Sequence, residues 1–146
     1  MPIRKITFSE LVEHKDFPSV RDRYFAECRR EYWGKCSVDM GLYRQMETMG
    51  FLTVLGVFDD EHLVGFSIVM LAGEVVTDQD FCNVDCVYVV PELRARYGAA
   101  LLRRALACGG DAPVTISAAT GSHLDRLLAK NRKHFKPSET VYHFRR

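Results

Sequence analysis

The chain has 146 residues, of which 47% are hydrophobic and 27% charged, and its formal net charge is +1. This composition is typical of a soluble globular protein, and the length predicts a single domain over residues 1–146. No apolar run approaches the roughly 20 residues of a membrane span, and the charged N-terminal segment lacks the apolar core of a signal peptide. We therefore expect a cytoplasmic protein that is not embedded in a membrane.

The first half of the chain predicts one strand, two helices and a β-hairpin. Residues 6–14 indicate a short strand followed by a turn or the start of a helix. Apolar residues at helical spacing predict helices over 17–33 and 38–50, the second ended by a glycine. Two β-rich runs, 51–58 and 63–71, are joined by a short polar turn and predict the hairpin.

The second half alternates strands and helices. A strand is predicted over 80–90, where the following proline stops it. The remaining elements are a helix over 97–108, a strand over 112–119, a helix over 122–135 that begins at a serine cap, and a strand over 139–146. This order predicts a mixed α+β sheet with helices on its faces.

The five cysteines do not indicate a disulfide framework, because their number is odd and nothing else suggests secretion. Cys82 and Cys86 lie four residues apart in the strand 80–90, so alternation predicts that they share a face. They have no matching histidine or cysteine pair. We expect buried structural cysteines and no metal site.

The charges are distributed unevenly along the chain. Residues 1–91 carry nine basic and fifteen acidic side chains, whereas residues 92–146 carry eleven basic and four acidic ones. A basic half of this kind suits a polyanion, and charge alone leaves both nucleic acid and a phosphate-rich cofactor open.

The basic half begins at a strand-to-helix turn that favours an anion. Residues 93–110 contain four arginines and no acid, although the first turn of a helix is a favourable place for negative charge. Gly98 would let a ligand approach the backbone closely. Unpaired amides, small residues and cations together predict a phosphate site. The alternative is an ordinary connection with solvated arginines.

The segment "VYVVPELRARYGAALL", residues 87–102, resembles the acetyl-CoA-binding motif of the GNAT superfamily of N-acetyltransferases. The order of predicted elements also resembles that family, and "HFKPSETVY", residues 134–142, resembles its C-terminal end. The chain also resembles the small members of the family found in bacteriophage genomes. The resemblance implies a mostly antiparallel sheet flanked by helices, with central strands 84–90 and 113–118 splayed apart.

The resemblance also implies a function, the transfer of an acetyl group from acetyl-CoA to a primary amine by direct attack in a ternary complex. The pantetheine arm would bond to the backbone of the first strand like an added strand, and the pyrophosphate would meet amides of the turn. The residues implied for cofactor binding are Val87, Tyr88, Val89, Arg94, Ala95, Arg96, Tyr97, Gly98 and Ala99.

The turn departs from the family motif in its glycines. If Arg94 is the leading arginine, Tyr97 and Ala99 occupy the two glycine positions. If Gly98 is instead the last glycine, the loop is one residue short and Arg96 replaces a glycine. Either alignment predicts weakened cofactor binding. It therefore leaves open a second function, a protein-interaction module with little or no activity.

For catalysis, the resemblance implies that Asp85 is the base, because an alkylammonium must lose a proton before attack. The alternative for Asp85 is a structural hydrogen bond or ion pair. A backbone amide near Val87 would stabilise the oxyanion. The helix 122–135 lacks the tyrosine that many relatives use as the acid, so Tyr142 or Tyr88 would substitute unless they only pack.

The acceptor amine is not specified by the sequence. Tyr32, Trp33 and Tyr43 lie in the two N-terminal helices, where relatives build the acceptor site, and otherwise belong to the core. Four basic residues at the end of the last predicted helix predict a solvated surface first, steering of the cofactor second and nucleic acid third. They are Lys130, Arg132, Lys133 and Lys136. Family members are often dimers, which leaves a homodimer as one option.

Overall fold

The computed structural model describes residues 1–29, 40–74 and 79–138. Within these ranges the strands form one five-stranded sheet in the order β1-β2-β3-β4-β5, antiparallel except between β4 and β5. The strands are β1 (Ile3–Ile6), β2 (Leu52–Asp59), β3 (His62–Glu74), β4 (Gln79–Val89) and β5 (Val114–Ile116).

Five α-helices connect and cover the described part of this sheet. Helix α2 continues into a π-helical turn over Phe25–Arg29, and a 3-10 turn over Pro91–Leu93 leads from β4 into α4. The α-helices are α1 (Phe8–Glu13), α2 (Phe17–Tyr24), α3 (Met40–Thr48), α4 (Arg94–Ala107) and α5 (His123–Lys130).

Local sequence explains where two of these helices begin. The Thr7 hydroxyl accepts from the amide of Glu10, and the Glu10 carboxylate accepts from the amide of Thr7, which is a capping box for α1. Ser122 caps α5 by accepting from the amide of Asp125, as the sequence predicts.

Aromatic packing fixes α2 on one face of the sheet. The ring of Tyr24 lies 5.5 Å from those of Phe66 and Tyr88, which are cross-strand neighbours on β3 and β4. Phe17 adds an edge contact to Phe66 at 5.8 Å. Helix α4 contacts β2, β3 and β4 from the opposite face. The core therefore lies on both sides of the central strands.

A β-bulge interrupts β4 at Asp85. Ile68 pairs with Cys86 and the next residue of β3, Val69, pairs with Val84, so Asp85 is the extra residue. The extra residue changes which face the strand presents. Cys86 shares the face of Tyr88, whereas Cys82 lies on the other face, where a Cβ added at Gly109 after α4 would come within 2.8 Å of the Cβ of Cys82. Both cysteines are buried, but the prediction that they share a face is wrong.

Most predicted elements are present, with shifted ends. Helix α4 begins at Arg94 rather than Tyr97, because the 3-10 turn that starts at Pro91 leads directly into helical backbone angles at Arg94. The helix predicted over 17–33 is α-helical only to Tyr24, and its last residues lie outside the described ranges. The strand predicted over 139–146 also lies outside them.

The architecture confirms the predicted fold class, a mixed α+β sheet that is mostly antiparallel and flanked by helices. Among the described residues, no helix is both long and apolar enough to cross a membrane.

Candidate active site

A cleft opens between β4 and β5. The two strands pair in parallel over Cys82–Val84, and the amide of Ser117 donates a last bond of 3.1 Å to the carbonyl of Val84. Beyond this point the described β5 has ended while β4 continues to Val89. We refer to the space along β4 from Asp85 to Val89, on the side of β5, as the cleft. The pairing of β4 and β5 therefore ends where the resemblance implies that the strands splay apart.

Asp85 lies at the apex of the cleft, at the bulge and immediately after the last residue that pairs with β5. It is half-buried. The fully buried hydroxyl of Ser67 donates to the carbonyl of Cys86 at 2.7 Å and so holds the backbone beside the bulge. The bulge therefore places the predicted base where the two strands separate.

The backbone of Val87 and Val89 faces the cleft. The amide of Val90 donates to the carbonyl of Val64 on β3, so Val90 points its polar groups away from the cleft. Because these directions alternate along an antiparallel strand, Val89 and Val87 point theirs toward it. This edge suits an extended, amide-containing arm such as pantetheine.

Helix α4 begins at the outer end of the cleft. Its first turn contains no acidic residue, and the amide of Arg94 donates to the carbonyl of Pro91. The amides of Ala95 and Arg96 are the next two and precede the first turn of intrahelical bonds. The amides of Tyr97, Gly98 and Ala99 lie inside the helix, since they donate four residues back. A diphosphate would thus meet Ala95 and Arg96 rather than Gly98.

Arg94 is held by two acceptors. Its Nε donates to the carbonyl of Val89 at 2.9 Å, and its Nη1 donates to Oε1 of Glu27 at 2.9 Å while Nη2 contacts Oε2. The guanidinium also lies over the ring of Tyr88, 5.3 Å from its centre. Arg94, which the resemblance implies as a ligand of the pyrophosphate, therefore lies along the cleft edge and is paired with a carboxylate.

A second ion pair of opposite polarity lies beside the first. Arg23 donates to both carboxylate oxygens of Glu92, at 2.9 and 2.6 Å. Arg23 and Glu27 are four residues apart, and Glu92 and Arg94 are two apart. We call the Arg23–Glu92 and Glu27–Arg94 pairs the clasp, because they join α2 and its π-helical extension to the start of α4.

Arg96 and Tyr97 direct their side chains away from the cleft. The Tyr97 ring is buried, and its hydroxyl donates to Oδ1 of Asp59 at 2.9 Å. The Arg96 guanidinium lies 3.6 Å from the same carboxylate and remains largely exposed. Both side chains line a broad groove of about 1330 Å³ around β1, which leaves the tyrosine ring outside the predicted anion site.

Two titratable groups respond to the charges of the clasp. Burial, followed by the Glu27 carboxylate, raises the pKa of Tyr88, so the phenol stays protonated at neutral pH. Loss of hydration, followed by the charge of Arg94, lowers the pKa of His123 at the start of α5 and favours its neutral form. Within the described ranges, no three His, Cys, Asp or Glu side chains are grouped to hold a metal ion.

The predicted site is brought together in part. The structure gathers Asp85, Val87 and Val89 along the cleft, with the start of α4 at its end. Tyr43 stacks on Phe8 with ring centres 5.0 Å apart and belongs to the packing of α1 and α3. Tyr142, Tyr32 and Trp33 lie outside the described residues.

The clasp was not expected from the sequence. The one available signal is the spacing of Arg23 and Glu27, which places both on one side of a predicted helix. Their partners are 69 and 67 residues further along the chain, a separation that periodicity cannot bridge.

Comparison with known proteins identifies the fold. No protein-family model matches the chain, and no curated protein is significantly similar to it in sequence. Solved structures do match over nearly the whole chain. A ribosomal-protein-alanine N-acetyltransferase from Brucella melitensis biovar Abortus 2308 is 20% identical, with a TM-score of 0.65, covering 99% of this chain and 96% of that one.

Two further structures agree. An aminoglycoside 6'-N-acetyltransferase from Acinetobacter haemolyticus is 17% identical, with a TM-score of 0.62, covering 100% of this chain and 98% of that one. A variant of a Bacillus halodurans protein is 14% identical, with a TM-score of 0.70, covering 97% of this chain and 98% of that one. The chain has the acetyltransferase fold that the resemblance implied. The similarity to bacteriophage members stays a prediction.

Proposed function

We propose that the protein is an acyl-CoA-dependent N-acyltransferase that transfers an acetyl group to a primary amine. The observation that carries this proposal is the edge of β4 beyond its pairing with β5, which runs from Asp85 at the apex to the acid-free first turn of α4. Acetyl-CoA would supply the acetyl group as a thioester. The acetyltransferases among the solved structures of the same fold support this assignment.

In the proposed reaction the chain's own residues bind, orient and move a proton. The backbone of Val87 and Val89 holds the pantetheine arm, whereas the backbone of Tyr88 between them is directed to β3. The amides of Ala95 and Arg96 hold the diphosphate. Asp85 accepts the proton of the ammonium group, which makes the nitrogen a nucleophile. The amide of Val87 stabilises the oxyanion that attack produces.

The remaining residues of the turn have other roles. Arg94 balances the diphosphate charge from its place at the cleft edge. Gly98 and Ala99 place small side chains in the second turn of α4. Tyr97 anchors the helix through its hydrogen bond to Asp59. Tyr142 stays the proposed acid for the leaving thiolate, and a raised pKa makes the Tyr88 phenol a weaker candidate.

Thermal unfolding in the presence of acetyl-CoA tests the proposal. A ligand that binds only the folded state stabilises it by about 2.7 kcal/mol at a hundredfold excess over its Kd. We expect the melting temperature to rise with acetyl-CoA and not with acetate at the same concentration. Labelled acetyl-CoA added to a cell extract would then report the acceptor by mass spectrometry.

One observation favours a second candidate, a protein-interaction module of the same fold. Arg94 is already bound to Glu27 and to the carbonyl of Val89, which is an arrangement complete without a cofactor. A folded protein whose melting temperature does not respond to acetyl-CoA would favour this candidate.

A further inference from the structure

The Glu27–Arg94 pair passes around the free side of β4. Arg94 belongs to α4 on one face of the sheet, and Glu27 belongs to the π-helical turn that follows α2 on the other. On its other side β4 is paired with β3 along its length. The two side chains therefore meet around the edge that faces the cleft, where Nε of Arg94 caps the carbonyl of Val89. The guanidinium lies in the mouth of the cleft.

The Glu27 carboxylate has the chemistry of a cation site. Its side chain is 27% exposed and that of Arg94 only 17%, so the pair is largely withdrawn from solvent. The Tyr88 ring beneath the guanidinium adds an aromatic face that also attracts cations. The Arg94 guanidinium thus occupies a position that a cationic group of a ligand could take if it entered the cleft from the side of α2.

We propose that Glu27 binds a second cationic group of the acceptor, separate from the reacting amine, and that Arg94 occupies this site until an anion at the start of α4 draws the guanidinium away. This inference rests on the proposed function. It assigns the acceptor a second positive charge away from the reacting nitrogen, because Asp85 and Val89 are four residues, or about 13 Å, apart on β4. Glu27 would position that charge and would not remove the proton.

Arg94 can be shared because a guanidinium pairs equally well with carboxylate and with phosphate in a two-pronged geometry. As the first residue of α4 it stands next to the amides of Ala95 and Arg96, where the diphosphate is expected. Binding of the anion therefore releases Glu27. By linkage, a cationic amine must in turn strengthen binding of the cofactor by the same factor.

The amine site is tested without any cofactor. Arg94→Gln removes the guanidinium and leaves the Glu27 carboxylate at the cleft mouth. We expect 1,5-diaminopentane, titrated by NMR, to bind this variant at least about fivefold more tightly than the original protein, which is the lower range of typical coupling. Adding Glu27→Gln to Arg94→Gln should abolish the gain.

The matched control is Arg23→Gln, which releases the exposed Glu92 carboxylate of the same clasp, outside the cleft. It should bind the diamine no better than the original protein. The proposal is overturned if Arg94→Gln gains no affinity, or if Arg23→Gln gains as much.

Coenzyme A tests the exchange of Arg94 between its partners. Glu27→Gln should bind coenzyme A roughly fivefold more tightly, since a partly exposed ion pair no longer competes for the guanidinium. Glu92→Gln is the control and should leave this affinity unchanged. The Nε–Hε resonance of Arg94 should shift when coenzyme A is added to the original protein.

The outcomes separate the two proposals. If no variant binds coenzyme A, the proposed function fails, and the diamine titration still decides the role of Glu27. If the original protein and Glu27→Gln bind coenzyme A equally while the Arg94 resonance stays in place, the exchange is wrong and the proposed function stands. Should Arg94→Gln fail to fold, the Glu27→Gln titration decides.

Discussion

Asp85 is the residue whose position depends most on a local irregularity. Without the bulge, β4 would continue its pairing in register, and no residue would be left over where β5 diverges. The bulge instead places one carboxylate at the apex, on the strand whose next residues line the cleft. A base at this point is close to any amine that reaches the end of an arm lying along β4.

Replacing Asp85 by Asn therefore tests the proposed base. We expect kcat to fall by about 10²- to 10⁴-fold, the usual contribution of a positioned base. The stabilisation by acetyl-CoA should persist, because Asp85 is not proposed to hold the cofactor. Asp80→Asn is the matched control, an exposed acid on the same strand. Full activity of Asp85→Asn would show that another group takes the proton.

Glu92 gives a prediction that does not depend on enzymatic activity. Hydrogen bonds from Arg23 lower the pKa of Glu92 from 4.5 to about 2. A carboxyl with a lowered folded-state pKa releases its proton more readily in the folded protein, so its contribution to stability is present above pH 4.5 and is lost as the pH falls toward 2. The free energy of unfolding, measured with urea at a series of pH values across this window, should therefore rise with pH.

Glu92→Gln should remove that part of the slope, whereas Glu61→Gln, at an exposed position in the β2–β3 turn, should retain it. An unchanged slope in Glu92→Gln would mean that the Arg23–Glu92 half of the clasp does not form in solution.

At the level of elements, the start of α4 decides which amides face the cleft. Tyr97, Leu101 and Ala105 are its buried residues, and their spacing of four made the body of the helix predictable from the sequence. The first turn carries no such signal, because the Arg94 side chain leaves the helix to bind Glu27. The amides proposed to meet the anion, those of Ala95 and Arg96, therefore lie at the start of the range 94–99 that the resemblance implied.

A glycine substitution tests which amides of α4 meet the anion. A Cβ at Gly98 would have the Cβ of Arg94 as its nearest neighbour, at 3.9 Å, so Gly98→Ala should stabilise the protein by about 0.5–1 kcal/mol. Because its amide lies inside α4, coenzyme A affinity should not change. Weaker binding by Gly98→Ala would instead return the anion site to Gly98.

Gly65→Ala is the counterpart in the sheet. A Cβ there would lie 2.5 Å from the Tyr88 carbonyl oxygen, which is backbone and cannot move aside cheaply. We expect a loss of about 1–3 kcal/mol by urea unfolding. A neutral result would mean that β3 and β4 are less closely paired beside the cleft than described.

Particular elements show how far the sequence could lead. The hairpin of β2 and β3 was predictable, because alternation and a polar turn are local signals. The bulge was not, since Asp85 fits the alternation of the residues that follow it and only the partner strand reveals the extra residue. The clasp was not either, because each pair depends on how two faces of the sheet meet.

For the whole molecule, folding brings the acidic and basic halves of the sequence into contact. Glu27 pairs with Arg94, and Asp59 lies beside Arg96, so part of the basic half is neutralised internally. The other exposed basic residues of this half, within the described range 92–138, lie on α4, α5 and the segment after it. They are Arg103, Arg104, Arg126, Lys130, Arg132, Lys133 and Lys136.

This surplus predicts that salt weakens the binding of coenzyme A. Raising the salt from about 0.01 to 1 M shortens the Debye length from about 30 to 3 Å. Over this range we expect coenzyme A affinity, measured by calorimetry, to fall by at least about tenfold, the lower end of electrostatic effects on charged ligands. Pantetheine is the matched control, because it keeps the amides and lacks the phosphates. If the affinities of the two ligands depend equally on salt, the phosphates lie away from the basic surface. If duplex DNA binds in a salt-sensitive manner and coenzyme A does not bind, the surface belongs to nucleic acid instead.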